Sequence, residues 1–165
     1  MLASKLPEAS GIIEKVGRYG IGALEEFKEK DPELYNQLLY LMGRHLYAQA
    51  SFRQAIDVFQ EVDPKAKQYT YAKFFEGISF VRMRQARPAI ASFRSILDAI
   101  DSGDVKGVDE DRMANLAWIS LARVYYTAAN QQRQGGQIDG TLLGQSVESW
   151  TKVDQSSEYW LDSLF

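Results

Sequence analysis

The chain has 165 residues, is 45% hydrophobic and 25% charged, and carries a formal net charge of −3, which is the composition of a globular domain. Nucleic-acid binding needs a basic surface, and this chain has no Lys- or Arg-rich run, so a nucleic-acid partner is not expected. No apolar run approaches the roughly 18 residues that cross a bilayer, which argues against direct membrane insertion, and without cysteine there are no disulfides or thiolate metal sites.

The first 30 residues have the apolar spacing of a helix, interrupted by glycine. Each glycine in a helix interior costs up to about 1 kcal/mol, so a break near Gly20 is expected. The segment Gly17–Gly22 is not a phosphate loop, because no strand precedes it and no Gly-Lys-Ser/Thr follows. We predict an N-terminal helix or cap over residues 1–30. Its apolar positions are Ile12, Ile13, Val16, Ile21, Leu24 and Phe27.

Three small or aromatic landmarks then recur at a fixed interval of 34 residues. A period near 34 is typical of a helix–turn–helix unit that stacks on copies of itself in a solenoid. In such units a small residue lets two helices approach, and a large residue fills the space beside it. The pairs are Gly43 and Gly77, Ala55 and Ala89, and Phe59 and Phe93.

The first two predicted units cover residues 31–65 and 66–101. The Asp31-Pro32 pair is a helix start, a capping residue followed by proline in the first helical position. The second unit departs from the repeat at Lys73 and Glu76, where large apolar residues are usual.

The third predicted unit, residues 108–155, is stretched by two insertions. Its first helix contains Trp118-x2-Leu121-Ala122-x2-Tyr125, and its second resumes with Ser146-x3-Trp150. The Gly- and Asp-rich segment 101–109 and the Gln- and Gly-rich segment 131–144 are predicted loops.

Residues 156–165 are predicted to begin a fourth unit. The segment 153–165 aligns with 62–74, so that Trp160 matches Tyr69 and Phe165 matches Phe74. The sequence would then stop inside the first helix of that unit, and we expect it to be a fragment of a longer protein.

From about Tyr35 to Phe165, these repeats resemble the tetratricopeptide repeat family, whose units read W-x2-L-G-x2-Y and then A-x3-F. The resemblance implies an all-α fold, a right-handed superhelix of antiparallel helix pairs. It also implies a non-catalytic scaffold that binds another protein or a peptide segment.

Finer features are similar to envelope-associated tetratricopeptide proteins of myxobacteria and their predatory relatives, some of which belong to gliding-motility machines. That resemblance implies the bacterial periplasm or cell envelope, with the cytoplasm as the alternative. It is carried by Tyr40–Arg44, Ala89–Arg94, Leu121–Tyr126 and Ser157–Asp162.

Residues suited to catalysis are scarce. His45 is the one histidine, and a lone helical histidine is far more often a packed or surface residue than a ligand. The acidic run from Asp101 to Asp111 lacks the ligand spacing of a calcium loop. We expect no enzyme, no metal site and no cofactor.

The remaining candidate is a concave groove, which in the resembled family is lined by the first helix of each unit. Tyrosine and arginine are enriched at binding hot spots, and arginine can grip a carboxylate with two hydrogen bonds. Lys and Asn of the chaperone-binding carboxylate clamp are absent from the matching positions, so chaperone tails are not predicted partners. The predicted partner-binding residues are Tyr40, Arg44, Tyr47, Tyr71, Phe74, Ile78, Ile119, Arg123 and Tyr126, with Gln37, Val81 and Leu116 on the same face.

Two interpretations remain open. The aromatic residues and both arginines could form a partner-binding groove, or they could pack within the superhelix. In the second case the chain would be a structural spacer or a self-association module that uses its convex or end surfaces.

Overall fold

A computed structural model describes residues 21–103, 105, 108–131 and 139–160, and within these ranges the chain is all-α, as predicted. A 3-10 turn at Ile21–Leu24 precedes seven α-helices. They are α1 (Glu25–Lys30), α2 (Pro32–Ala48), α3 (Phe52–Gln60), α4 (Tyr69–Arg82), α5 (Ala86–Asp101), α6 (Glu110–Gln131) and α7 (Gly140–Thr151).

Helices α2 and α3 pack antiparallel, as three contacts along their length show. Near the connecting turn, the rings of Tyr47 and Phe52 are 5.5 Å apart, and Tyr40 lies 6.5 Å from Phe59 further along. At the end of the pair away from this turn, the side-chain oxygen of Asn36 accepts a hydrogen bond from the backbone N–H of Asp63 at 2.8 Å.

Helices α6 and α7 form an antiparallel pair with equivalent contacts. The Ser146 hydroxyl donates to the Ala122 carbonyl oxygen at 2.9 Å. Asn115 repeats the role of Asn36, because its side-chain oxygen accepts from the Asp154 N–H at 2.7 Å. The chain therefore contains at least two antiparallel helix pairs with an asparagine contact at the same place in each.

Glycine allows close helix approach within the first two pairs. A Cβ atom placed on Gly43 would lie 2.4 Å from Cε1 of Phe59, and one on Gly77 would lie 2.6 Å from Cε1 of Phe93. Both phenylalanine side chains are fully buried. The 34-residue interval in the sequence is therefore the interval between two equivalent Gly–Phe contacts.

The turns that follow α2 and α4 are also equivalent. In the first, the Ser51 N–H donates to the Leu46 carbonyl and the Ala50 N–H to the Tyr47 carbonyl, which is the Schellman arrangement. Ala50 consequently has a positive φ of 58°, and Arg84, 34 residues later, has a φ of 57°.

One predicted boundary differs from the structure. The predicted loop over 131–144 was too long at its end, because α7 begins at Gly140, where the Asp139 side chain accepts hydrogen bonds from the N–H groups of Thr141 and Leu142. Residues 1–20 of the predicted N-terminal cap, 132–138 of that loop, and 161–165 of the predicted fourth unit lie outside the described residues.

The departure at Lys73 and Glu76 forms an ion pair inside an unbroken α4, with Glu76 buried and Lys73 partly buried. Lys73 Nζ lies 2.6 Å from Glu76 Oε2, and Gln60 of α3 donates to Glu76 Oε1 at 3.2 Å. The first unit has Leu39 and Met42 at these two positions, both buried. The pair therefore occupies the place of an apolar contact between helices.

Changing Lys73 and Glu76 together to Leu and Met is expected to leave the free energy of unfolding unchanged or to raise it. Replacing a buried ion pair with packed apolar residues is often neutral or stabilising, whereas removing one partner leaves an uncompensated charge. Glu76→Met alone should cost about 3 kcal/mol. Urea denaturation followed by circular dichroism measures both, and a double variant as unstable as the single one would contradict the prediction.

Ala50→Gly is expected to stabilise the chain by about 0.5–1 kcal/mol, because glycine removes the left-handed strain at this position. The matched control is Ala48→Gly, which places the same substitution at a right-handed helical position and should destabilise by up to about 1 kcal/mol. Thermal unfolding measures the stability of both variants. If both are less stable than the wild type, the backbone at Ala50 is not strained.

Candidate partner-binding surface

Four of the predicted groove residues belong to an aromatic cluster between α2 and α4. Phe75 lies at its centre, with ring-centroid distances of 6.3 Å to Tyr40 and 5.4 Å to Tyr47. Such separations fall in the range of favourable aromatic pairs. The cluster comprises Tyr40, Tyr47, Phe52, Phe59, Tyr71, Phe74, Phe75 and Phe93.

Arg44 covers this cluster from the solvent side. Its guanidinium carbon is 5.1 Å from the Phe75 ring centroid and 5.8 Å from that of Tyr40, which is cation–π geometry. Burial raises the pKa of the Tyr40 hydroxyl above its usual value, and the nearby Arg44 charge opposes the rise. Tyr40 is therefore a neutral phenol at physiological pH.

A cleft of about 300 Å³ lies between the end of α4, the start of α5 and the second half of α6. Two of its lining residues, Arg84 and Arg123, carry positive charge, and no acidic residue lines it. We call it the arginine cleft. Its lining is Val81, Arg84, Gln85, Ala86, Arg123, Val124, Thr127, Ala128 and Gln131.

Exposed apolar side chains occur in the arginine cleft and on the turn of α6 that follows Arg123. Val81, which lines it, is 42% exposed, and Tyr126, one helical turn after Arg123, is 54% exposed. The other large exposed apolar residues in the described part of the chain are Leu34 and Val147, neither of which lines the cleft.

The predicted binding residues therefore divide into four groups. The first group is partly buried, and its rings contact other rings of the aromatic cluster beneath Arg44. It consists of Tyr40, Tyr47, Tyr71 and Phe74. Ile78 is partly buried against the core formed by α5 and α6.

Arg123 lines the arginine cleft, and Tyr126 is exposed on the next turn of α6, outside the lining. Ile119 requires a correction, because it is only 4% exposed and cannot contact a partner in this conformation. The nine residues thus do not form one continuous surface of equal exposure.

Sequence reasoning missed Phe75, the residue with the most ring contacts in the cluster. Its signal was available, because Tyr71, Phe74, Phe75 and Ile78 follow the i, i+3, i+4, i+7 spacing of an apolar helix face. Sequence reasoning also missed the hydrogen bonds that the side chains of Asn36 and Asn115 accept at the end of the first and third units. The Val-Asp dipeptides at these two places align with each other in the sequence.

His45 Nε2 lies 3.0 Å from Gln49 Nε2, at the exposed end of α2. Among the described residues no group of three or more His, Cys, Asp or Glu side chains could hold a metal ion, and no helix is long and apolar enough to cross a membrane.

Comparison of the chain with protein-family models, with curated proteins and with solved structures finds no match.

Proposed function

We propose that the chain is a tetratricopeptide-type array, a right-handed superhelix of antiparallel helix pairs, that acts as a non-catalytic scaffold for protein–protein interaction. Two recurrences support the array: the Gly43–Phe59 and Gly77–Phe93 contacts, and the left-handed turns that follow α2 and α4. The first two units therefore repeat a contact and a turn, and not only a sequence pattern.

The observation that carries the binding function is the arginine cleft, with the exposed Val81 in its lining and the exposed Tyr126 one helical turn after Arg123. Val81 and Tyr126 offer apolar area, and an aromatic residue with a polar tip is typical of interface hot spots. Arg84 supplies hydrogen-bond donors for a carboxylate or backbone carbonyl of the partner, and Arg123 adds positive charge to the same cleft. An extended or helical segment of another protein fits this combination.

The aromatic cluster contributes rigidity to this surface. Its rings connect α2 to α4 through Tyr40, Tyr47 and Phe75, so the two helices cannot separate without losing several ring contacts. A fixed surface lowers the ordering cost of binding.

The same cluster favours an alternative function. Because Tyr40, Tyr47 and Phe74 contact other rings of the chain, a spacer or a self-association module would use the same packing without any groove partner.

For the compartment, we propose the bacterial periplasm or envelope, and the support is the resemblance of segments such as Tyr40–Arg44 alone.

Val81→Ser with Tyr126→Ser is expected to abolish partner capture, because these changes remove exposed apolar area at the arginine cleft and leave the core intact. The matched control is Leu34→Ser with Val147→Ser, which removes similarly exposed apolar residues away from the cleft. Native cell extract is passed over the immobilised wild-type chain and both variants, and retained proteins are quantified by mass spectrometry.

A protein retained by the wild type and the control but lost from the cleft variant supports the scaffold function and identifies the partner. Equal retention by all three, or no specific retention, contradicts a cleft receptor and favours the spacer. Light scattering on the wild type then distinguishes a monomeric spacer from a self-association module.

A further inference from the structure

A second groove lies on another face of α6, between α5 and α7. It has a volume of about 360 Å³, with Trp118, Leu121 and Tyr125 of α6 as its floor. At 100° per residue, this floor is rotated by roughly 120° around α6 from the residues that line the arginine cleft. The α5–α7 groove is therefore a separate surface from the proposed partner site.

Its walls carry negative charge from both sides. Asp98 and Asp101, one helical turn apart, stand on α5, and Glu148 stands on α7. All three are exposed, and none forms an ion pair among the described residues. Unpaired carboxylates that converge on one groove create a local potential that attracts a cation.

Among the described residues one cation lines the groove, Arg94, and it does not neutralise these carboxylates by contact. Its Nη2 atom donates to the Tyr125 hydroxyl oxygen at 2.8 Å. The net charge of the groove lining is consequently negative. The carboxylates of α5 on one wall and of α7 on the other can both contact a positive group.

Trp118 gives the groove an apolar, aromatic floor. Its equivalent in the first unit, Leu39, is completely buried, whereas Trp118 is only partly buried and lines the groove. An indole face is the preferred aromatic surface for a lysine or arginine side chain, and Leu97 adds apolar area beside it. Carboxylate walls over an indole floor are complementary to a long cationic side chain.

We propose that the α5–α7 groove binds a basic segment of a partner protein, with one lysine or arginine side chain held between Asp98, Asp101 and Glu148 above Trp118. The groove volume is at the lower end for ligand pockets and suits one long side chain with its flanking backbone. The scaffold then has two contact faces of opposite charge on the two sides of α6.

Fluorescence anisotropy with fluorescein-labelled hexalysine tests this site, and labelled hexaglutamate is the probe control. Asp98→Asn, Asp101→Asn and Glu148→Gln together should weaken hexalysine binding at least about tenfold, the effect of losing a few charge-assisted contacts. The matched variant, Glu29→Gln, Asp57→Asn and Glu110→Gln, neutralises three exposed carboxylates elsewhere and should change affinity less than about twofold.

Trp118→Leu separates contact with the indole from diffuse attraction to a negatively charged chain, because it leaves the net charge unchanged. It introduces the residue found at the equivalent position of the first unit and should weaken binding about threefold without any change in charge. The Val81→Ser/Tyr126→Ser variant should bind hexalysine like the wild type, so failure at one face does not imply failure at the other. Circular dichroism confirms that each variant is folded.

Three results would overturn the proposal. The first is hexalysine binding to the wild type that is no tighter than hexaglutamate binding. The second is equal weakening by the groove and control triple variants, which would mean diffuse attraction to an acidic chain. The third is full affinity in both the groove triple variant and Trp118→Leu.

Discussion

The fold depends on the close approach of two helices at a glycine, with a phenylalanine ring in the space that a Cβ atom would occupy. Gly43 and Phe59 make this contact in the first unit, and Gly77 and Phe93 make it in the second. Both rings are fully buried, so the contact sets the distance between the helices and the depth of the core. A packed interior tolerates added volume poorly, which makes this a constraint on sequence and not only a favourable contact.

The positions where units differ are the ones that give the chain its individual surfaces. Lys73 and Glu76 replace an apolar contact with an ion pair at the boundary with α3. Trp118 stands where the first unit has the buried Leu39, and it is left as the floor of an acidic groove. The arginine cleft lies on another face of the same helix. The repeated packing contacts therefore hold the helices in place, and the positions that differ between units form the charged and aromatic surfaces.

The all-α class could be predicted from the sequence because its determinants are local or periodic. The Asp31-Pro32 cap and the 34-residue interval needed no knowledge of the neighbouring helices. The start of α7 at Gly140 was missed because its cap, Asp139, lies in a stretch whose Gln and Gly content is typical of loops.

Exposure at equivalent positions could not be predicted, because it depends on what the next helix provides. Tyr47 contacts Phe52 and Phe75, whereas Tyr126, its equivalent in the third unit, is more than half exposed. Ile119 is buried although the equivalent Tyr40 retains partial exposure. These differences follow from particular cross-helix neighbours, which a repeat pattern does not specify.

A double-mutant cycle on Gly43→Ala and Phe59→Leu tests the central Gly–Phe contact most directly, with unfolding free energies from urea denaturation. Gly43→Ala alone should destabilise by about 1–3 kcal/mol through overpacking, although alanine favours a helix. The shorter Phe59→Leu side chain makes room for the methyl group, so the double variant should recover at least about 1 kcal/mol relative to the sum of the single changes. Gly144→Ala, where a Cβ meets nothing within 4 Å, should be neutral or stabilising. Additive effects, or a Gly43→Ala variant as stable as Gly144→Ala, would contradict the proposed constraint.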